Sequence, residues 1–286
     1  MANPDSLEPT PTATPTAEAE PAGNAVDRPG RRLAGWQFAL IVVLYLAIIQ
    51  GIGLAIGVDT SGSKSQFPTT QAIVRGALVP IGVSILFGAA VITWLGWWKS
   101  VLHYRVPVRR WVRLVPVSML AVSILGFNYW HLADQQASLV VSVLVLGVFV
   151  GVGEELMFRG VGVQFFRRAG FSEGKTALYS SVVFGLVHVT NAIHAGPSAI
   201  AQALIVATSG YFFYLCLRVG GTILLPMLVH GLWDTSLFSG LTGPEPAVSV
   251  GAFLQVLLQV TLIVVLLVRR RRIEPAAVPS PAPALP

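Results

Sequence analysis

Along most of the chain, polar residues punctuate long apolar runs. The runs recur at about 36–58, 76–98, 114–131, 138–157, 176–193, 199–217, 221–240 and 250–268. Each is close to the roughly 20 residues that a helix needs to cross a bilayer core. In hydrocarbon only a helix or a closed barrel satisfies its own backbone, and nothing here alternates with period two. The pattern therefore predicts an all-α fold, a polytopic transmembrane bundle of about eight spans. Outside the runs, residues 1–32 are rich in Pro, Ala, Thr and Glu and nearly free of large apolar side chains, as expected of a disordered tail. Residues 273–286 form a second Pro/Ala-rich tail. Arg31 and Arg32 precede the first run like a twin-arginine export signal. That run exceeds 20 residues and shows no small-residue cleavage pattern, which argues for a retained helix.

Composition sharpens this picture. Of 286 residues, 54% are hydrophobic and 11% charged, against about 25% charged in a soluble domain. An ordinary water-soluble core is excluded. The formal charge of +6 comes from clusters beside apolar runs, so it points to a membrane surface rather than to nucleic acid. With both termini cytoplasmic and an even number of spans, 19 Lys and Arg sort with only Lys64 and Arg75 outside, as positive-inside retention requires. On this reading Arg159 belongs to a cytoplasmic loop with Arg167, Arg168 and Lys175. Trp36, Trp94, Trp97, Trp98, Trp111 and Trp130 fall near span ends, where amphipathic rings anchor in headgroups. Gly53 with Gly57, and Gly147 with Gly151, make small-xxx-small spacings that allow close helix contact.

An ionisable side chain inside a membrane helix is costly, so each one is a candidate for function. Three clusters stand out. In Glu154-Glu155-Leu156-Met157-Phe158-Arg159, helical spacing puts Glu155 and Arg159 four apart on one face as an ion pair, while Glu154 is rotated about 100° away without that partner. In Phe184-Gly185-Leu186-Val187-His188 an imidazole sits on an apolar helix, with Asn191 a turn later; His194, ahead of Gly196 and Pro197, reads as loop. In His230-Gly231-Leu232-Trp233-Asp234, i,i+4 spacing places imidazole and carboxylate on one side. Each cluster alone has a bland reading as an interfacial charge, a packed histidine or a self-neutralised pair. Three helices together need a common site to satisfy them. The single Cys216 excludes an internal disulfide and reads as a packing residue. Ser209 lacks the surroundings of a rhomboid nucleophile, and no Gly-x-Gly-Asp aspartyl signature is present.

In this order on successive helices, Glu-Glu-x-x-x-Arg, Phe-x-x-x-His and His-x-x-x-Asp resemble the CPBP family of intramembrane proteases, which takes in CAAX prenyl endopeptidases and the bacteriocin-related proteins once called Abi. The resemblance covers about 138–240. It leaves the first helices at 33–137 and the last, basic-ended helix at 241–272 outside. It implies an endopeptidase in which Glu154 is the base for a water that His188 positions. His230 and Asp234 would stabilise the oxyanion, and Glu155, Arg159, Phe184 and Asn191 would support. Asp234 stands where prenyl proteases typically have Asn, a variation common in bacterial members, so a bacterial plasma membrane is expected and a prenylated substrate is not assured. Family members have been described as metal-independent and as metalloproteases. If a metal such as zinc binds, Glu154, His188 and His230 offer the right ligand types, although the His-Glu-x-x-His helix is missing. The expected partners are a peptide or membrane-anchored protein substrate and the lipid bilayer. A transporter, or an immunity or scaffolding factor, is the competing function, since the same polar groups would serve ion movement or partner binding.

Overall fold

A computed structural model of the chain describes residues 30–57, 63–192 and 196–274, without the side chains of residues 198 and 199. The two expected tails lie almost wholly outside these residues, as does His194. The apolar runs fold into eight principal helices: α1 (Gly35–Ile56), α2 (Thr70–Leu95), α3 (Leu114–Gly126), α4 (Ala137–Arg168), α5 (Glu173–His188), α6 (Ser198–Gly220), α7 (Leu224–Phe238) and α8 (Val250–Arg269). No strand occurs among the described residues; Phe67 and Thr242 form a single bridge.

Hydropathy predicts eight spans, whereas five helices, α1, α2, α4, α6 and α8, are long and apolar enough to cross a membrane. The others hold 13, 16 and 15 residues and rise roughly 20–24 Å at 1.5 Å per residue, short of the ~30 Å hydrocarbon core. Apolar loop residues had lengthened those runs: α3 stops at Gly126, and Phe127 is already extended. Leu86, Leu125, Leu204 and Val268 point outward and are exposed, a surface suited to lipid. Together with the five long helices this makes the chain a multi-pass membrane protein.

α4 also departs from expectation. Its apolar run ends near residue 157, yet the helix continues for 32 residues, passing through a π-helical stretch at Leu156–Gly162 directly after the two acids. Such stretches are frequent at functional sites. Arg159, placed in a cytoplasmic loop by charge counting, is buried within this helix. Trp97 is likewise no headgroup anchor. It is fully buried, its indole N–H donates to the Arg31 carbonyl at 3.0 Å, and the Arg168 guanidinium lies over its ring. Trp36, Trp94 and Trp130 remain exposed.

The core forms where α7 packs against α4 and α3, and where α5 packs against α6. Of the two glycine pairs, only one brings helices together. A Cβ on Gly53 or Gly57 would meet nothing within 4 Å, whereas one on Gly147 or Gly151 would overlap Thr235 or the backbone of α7 at Met227 and Gly231. Gly231 answers from the other side, where a Cβ would come within 2.8 Å of the Gly147 carbonyl. This close approach carries His230 up to the α4 acids. Gly151→Ala is therefore expected to lower the stability of the bundle by about 1–3 kcal/mol through overpacking. Gly53→Ala should leave it unchanged. Thermal unfolding of the two variants in one detergent checks this, and equal midpoints would refute the role given to Gly151.

Candidate active site

The lowest layer of the site is an ion pair sealed from solvent. Arg159 Nη1 donates to Glu155 Oε1 at 2.7 Å, and the two side chains are 2% and 0% exposed. A bare guanidinium at this depth would be prohibitive, so its remaining faces are covered too. Nη2 donates to the Gly210 carbonyl at 2.9 Å, and the rings of Phe184 and Phe213 lie 4.4 and 5.2 Å from its central carbon. Both rings offer the cation their π faces. Gly210 is required at this point because a Cβ would come within 2.9 Å of Phe184.

The same Glu155 oxygen accepts a second bond, from His230 Nδ1 at 2.8 Å. A carboxylate only accepts, so Nδ1 carries the proton and Nε2 is the nitrogen turned to the remaining acids. Phe213 stacks on the imidazole with centroids 4.2 Å apart and fixes its plane. His188 is set in the same manner from α5. Its Nδ1 donates to the Phe184 carbonyl one turn back at 2.8 Å, and Phe184 meets the ring edge-on.

Above this layer the second acid is placed differently. Glu154 Oε2 lies 3.8 Å from His188 Nε2 and 3.8 Å from His230 Nε2, and His230 Nε2 lies 3.5 Å from Asp234 Oδ2. These gaps are too long for good direct hydrogen bonds and short enough for one small polar molecule to bridge. Glu154 Oε2 is itself buried without a hydrogen-bond partner. The side chains of Glu154, His188 and Asp234 keep 19%, 16% and 21% exposure, so a ligand can reach this layer though not the sealed pair beneath it. All four groups proposed for chemistry, drawn from α4, α5 and α7, thus meet at one place.

Residues 136–236 match the family model of type II CAAX prenyl endopeptidase Rce1-like proteins. The match covers about a third of the chain and makes that part similar to the CAAX proteases. No curated protein and no solved structure matches the chain. The matched segment runs from just before α4 to within two residues of the end of α7, and all three motifs lie inside it.

Around this core the structure adds residues that sequence reasoning missed. Glu155 serves His230 as well as Arg159, which no local spacing shows. Phe213 and Gly210 on α6 looked like ordinary membrane-helix residues. Asn191 turns elsewhere, its amide donating to Gln202 Oε1 at 3.2 Å. As for a metal, no group of three or more His, Cys, Asp or Glu among the described residues is arranged to hold an ion. His230 Nδ1 is committed to Glu155, which leaves the Nε2 atoms of both imidazoles beside Glu154 Oε2.

Proposed function

We propose that the protein is an intramembrane endopeptidase that hydrolyses a peptide bond with a water activated by Glu154. The observation that carries this reading is the approach of one unbonded, buried carboxylate oxygen to two imidazole nitrogens at the same 3.8 Å. A water in that gap gives one proton to Glu154 Oε2 and one to His188 Nε2, which is free to accept because Nδ1 holds the ring proton. As the water attacks the peptide carbonyl, Glu154 takes its proton. The oxygen of the tetrahedral intermediate is held by an Nε2–H on His230, whose ring is fixed by Glu155 at Nδ1 and flanked by Asp234 at 3.5 Å from Nε2. Collapse expels the amine, which receives the proton from Glu154. The ion pair of Glu155 and Arg159 keeps His230 in register throughout.

Peptides or membrane-anchored proteins are the substrate class that fits a site reached from within a bundle; the family likeness makes a lipidated C-terminus one candidate among them. We place both termini on the cytoplasmic side of a bacterial plasma membrane, with the shorter α3, α5 and α7 crossing in the shelter of the five longer helices. This rests on the sorting to one side of the Lys and Arg other than Lys64, Arg75 and the buried Arg159. The test is reconstitution of the purified protein in vesicles, with the chain's orientation read by cysteine labelling. A panel of lipidated and plain membrane peptides is then sequenced for new termini. Cleavage at a defined bond is expected. Intact peptides throughout, or labelling that places residues 64 and 113 on one side, would count against the enzyme and the topology respectively.

A further inference from the structure

α1 lies outside the family match, yet two of its side chains touch the helices that carry the site. Two contacts set its course. The Tyr45 ring meets Phe158 edge-on at 5.8 Å, and Phe158 stands one turn after Glu154 on α4. Five residues further along α1, Gln50 Nε2 donates to Thr190 Oγ1 at 3.1 Å, two residues beyond His188. α1 therefore crosses from the α4 acid to the α5 imidazole. Tyr45 is 2% exposed and its hydroxyl has no hydrogen-bond partner. Phe158 in turn meets Phe184, one turn before His188, at 4.9 Å, and Ser84 on α2 lies against Gly153, the residue before Glu154. Two buried polar atoms, Tyr45 Oη and Glu154 Oε2, are thus left unbonded on two helices that meet at the Tyr45–Phe158 contact. Buried polar groups are rarely left so, and such a pair marks a space that water or a ligand's polar group fills.

The chemistry of the bridging water says which group is still missing. Both its protons are taken, by Glu154 and His188, and one lone pair must face the carbonyl under attack. The other lone pair needs a donor, which neither an ionised carboxylate nor the accepting nitrogen of His188 supplies, and the Nε2–H of His230 is engaged by the carbonyl oxygen. We propose that Tyr45 is a further catalytic residue, its hydroxyl donating a hydrogen bond to the water that Glu154 activates. The role rests on the endopeptidase reading; the buried hydroxyl without a hydrogen-bond partner does not. Tyr45 thereby makes α1 part of the active site.

Tyr45→Phe keeps the ring against Phe158 and removes only the donor, whereas a fluorotyrosine at the same position keeps both. Tyr45→Phe is expected to lower kcat about ten- to hundredfold, the range for one lost hydrogen bond in the transition state. KM should stay within about twofold and the unfolding midpoint should not move, while fluorotyrosine restores kcat. Wild-type kcat in Tyr45→Phe, or a fluorotyrosine variant as slow as the Phe variant, would overturn the assignment. A second arm needs no turnover. Ultraviolet resonance Raman spectra of wild type minus Tyr45→Phe isolate this phenol and report whether it donates. The difference spectrum is expected to show a donating hydroxyl that changes in Glu154→Ala and not in Ser84→Ala. The opposite dependence would show a hydroxyl spent on Ser84 and overturn the placement. If wild type cleaves nothing, the endopeptidase reading falls on its own and the Raman arm still decides where Tyr45 points.

Discussion

Replacing Glu154 by Gln lowers peptide hydrolysis by about 10²- to 10⁴-fold, the range for loss of a positioned general base, and leaves the bundle folded. The two outcomes have separate causes. Glu154 Oε2 makes no direct hydrogen bond and its nearest partners stand 3.8 Å away, so an amide of the same shape breaks no interaction that holds helices together. The amide cannot accept a proton at working pH, and the water is left without a base. His188→Ala should fall in the same direction, because it removes the second acceptor of that water. Initial cleavage rates and unfolding midpoints on the same preparations check both halves of the expectation. A Glu154→Gln protein with undiminished cleavage would remove the acid from the mechanism.

Glu155→Ala is expected to act first on the fold. Truncating one partner of a buried ion pair leaves the other charge uncompensated, which costs about 3–5 kcal/mol. Here Arg159 is 2% exposed, with only the Gly210 carbonyl and two aromatic rings left to cover it. His230 Nδ1 loses its acceptor in the same change. The variant should unfold well below wild type and show no turnover. Replacing both members, Glu155→Leu with Arg159→Met, is expected to recover most of the stability, since a well-packed apolar pair can match a buried ion pair. Activity should stay lost, because His230 is still unheld. Unfolding midpoints and rates across this double-mutant cycle separate the structural role of Glu155 from its hold on the imidazole. A Glu155→Ala protein as stable as wild type would show that the pair does not brace the core.

What the sequence displays about this site is what lies on a single helix. The i,i+4 spacing of Glu155 and Arg159, and the freedom of Glu154 from that pair, follow from 3.6 residues per turn and are found in the structure. The shared use of Glu155 by His230 joins residues 75 apart and depends on Gly147, Gly151 and Gly231 letting two backbones meet, which no local pattern encodes. The two glycine pairs looked alike in sequence, and only packing distinguishes Gly151 from Gly53. Aromatic residues were hardest to place. Phe213, Tyr45 and Trp97 lie in apolar surroundings where a lipid-facing ring and a buried one have the same neighbours in sequence. Arg159 misled for the converse reason. A cation near a span end normally stays in the cytoplasm, and its acid, the Gly210 carbonyl and two rings hold this one inside. Some helix ends were set too far along because hydropathy adds apolar loop residues such as Phe127 to the helices they follow.

The most direct test of the account is an experimental structure of the protein in a lipid disc, at a resolution that shows ordered water. The account predicts one water in hydrogen-bond contact with Glu154 Oε2 and with Nε2 of His188, with His230 Nε2 facing the same space. Side chains of Glu154, His188 and His230 turned apart by more than the ~6 Å that one water can bridge would contradict it.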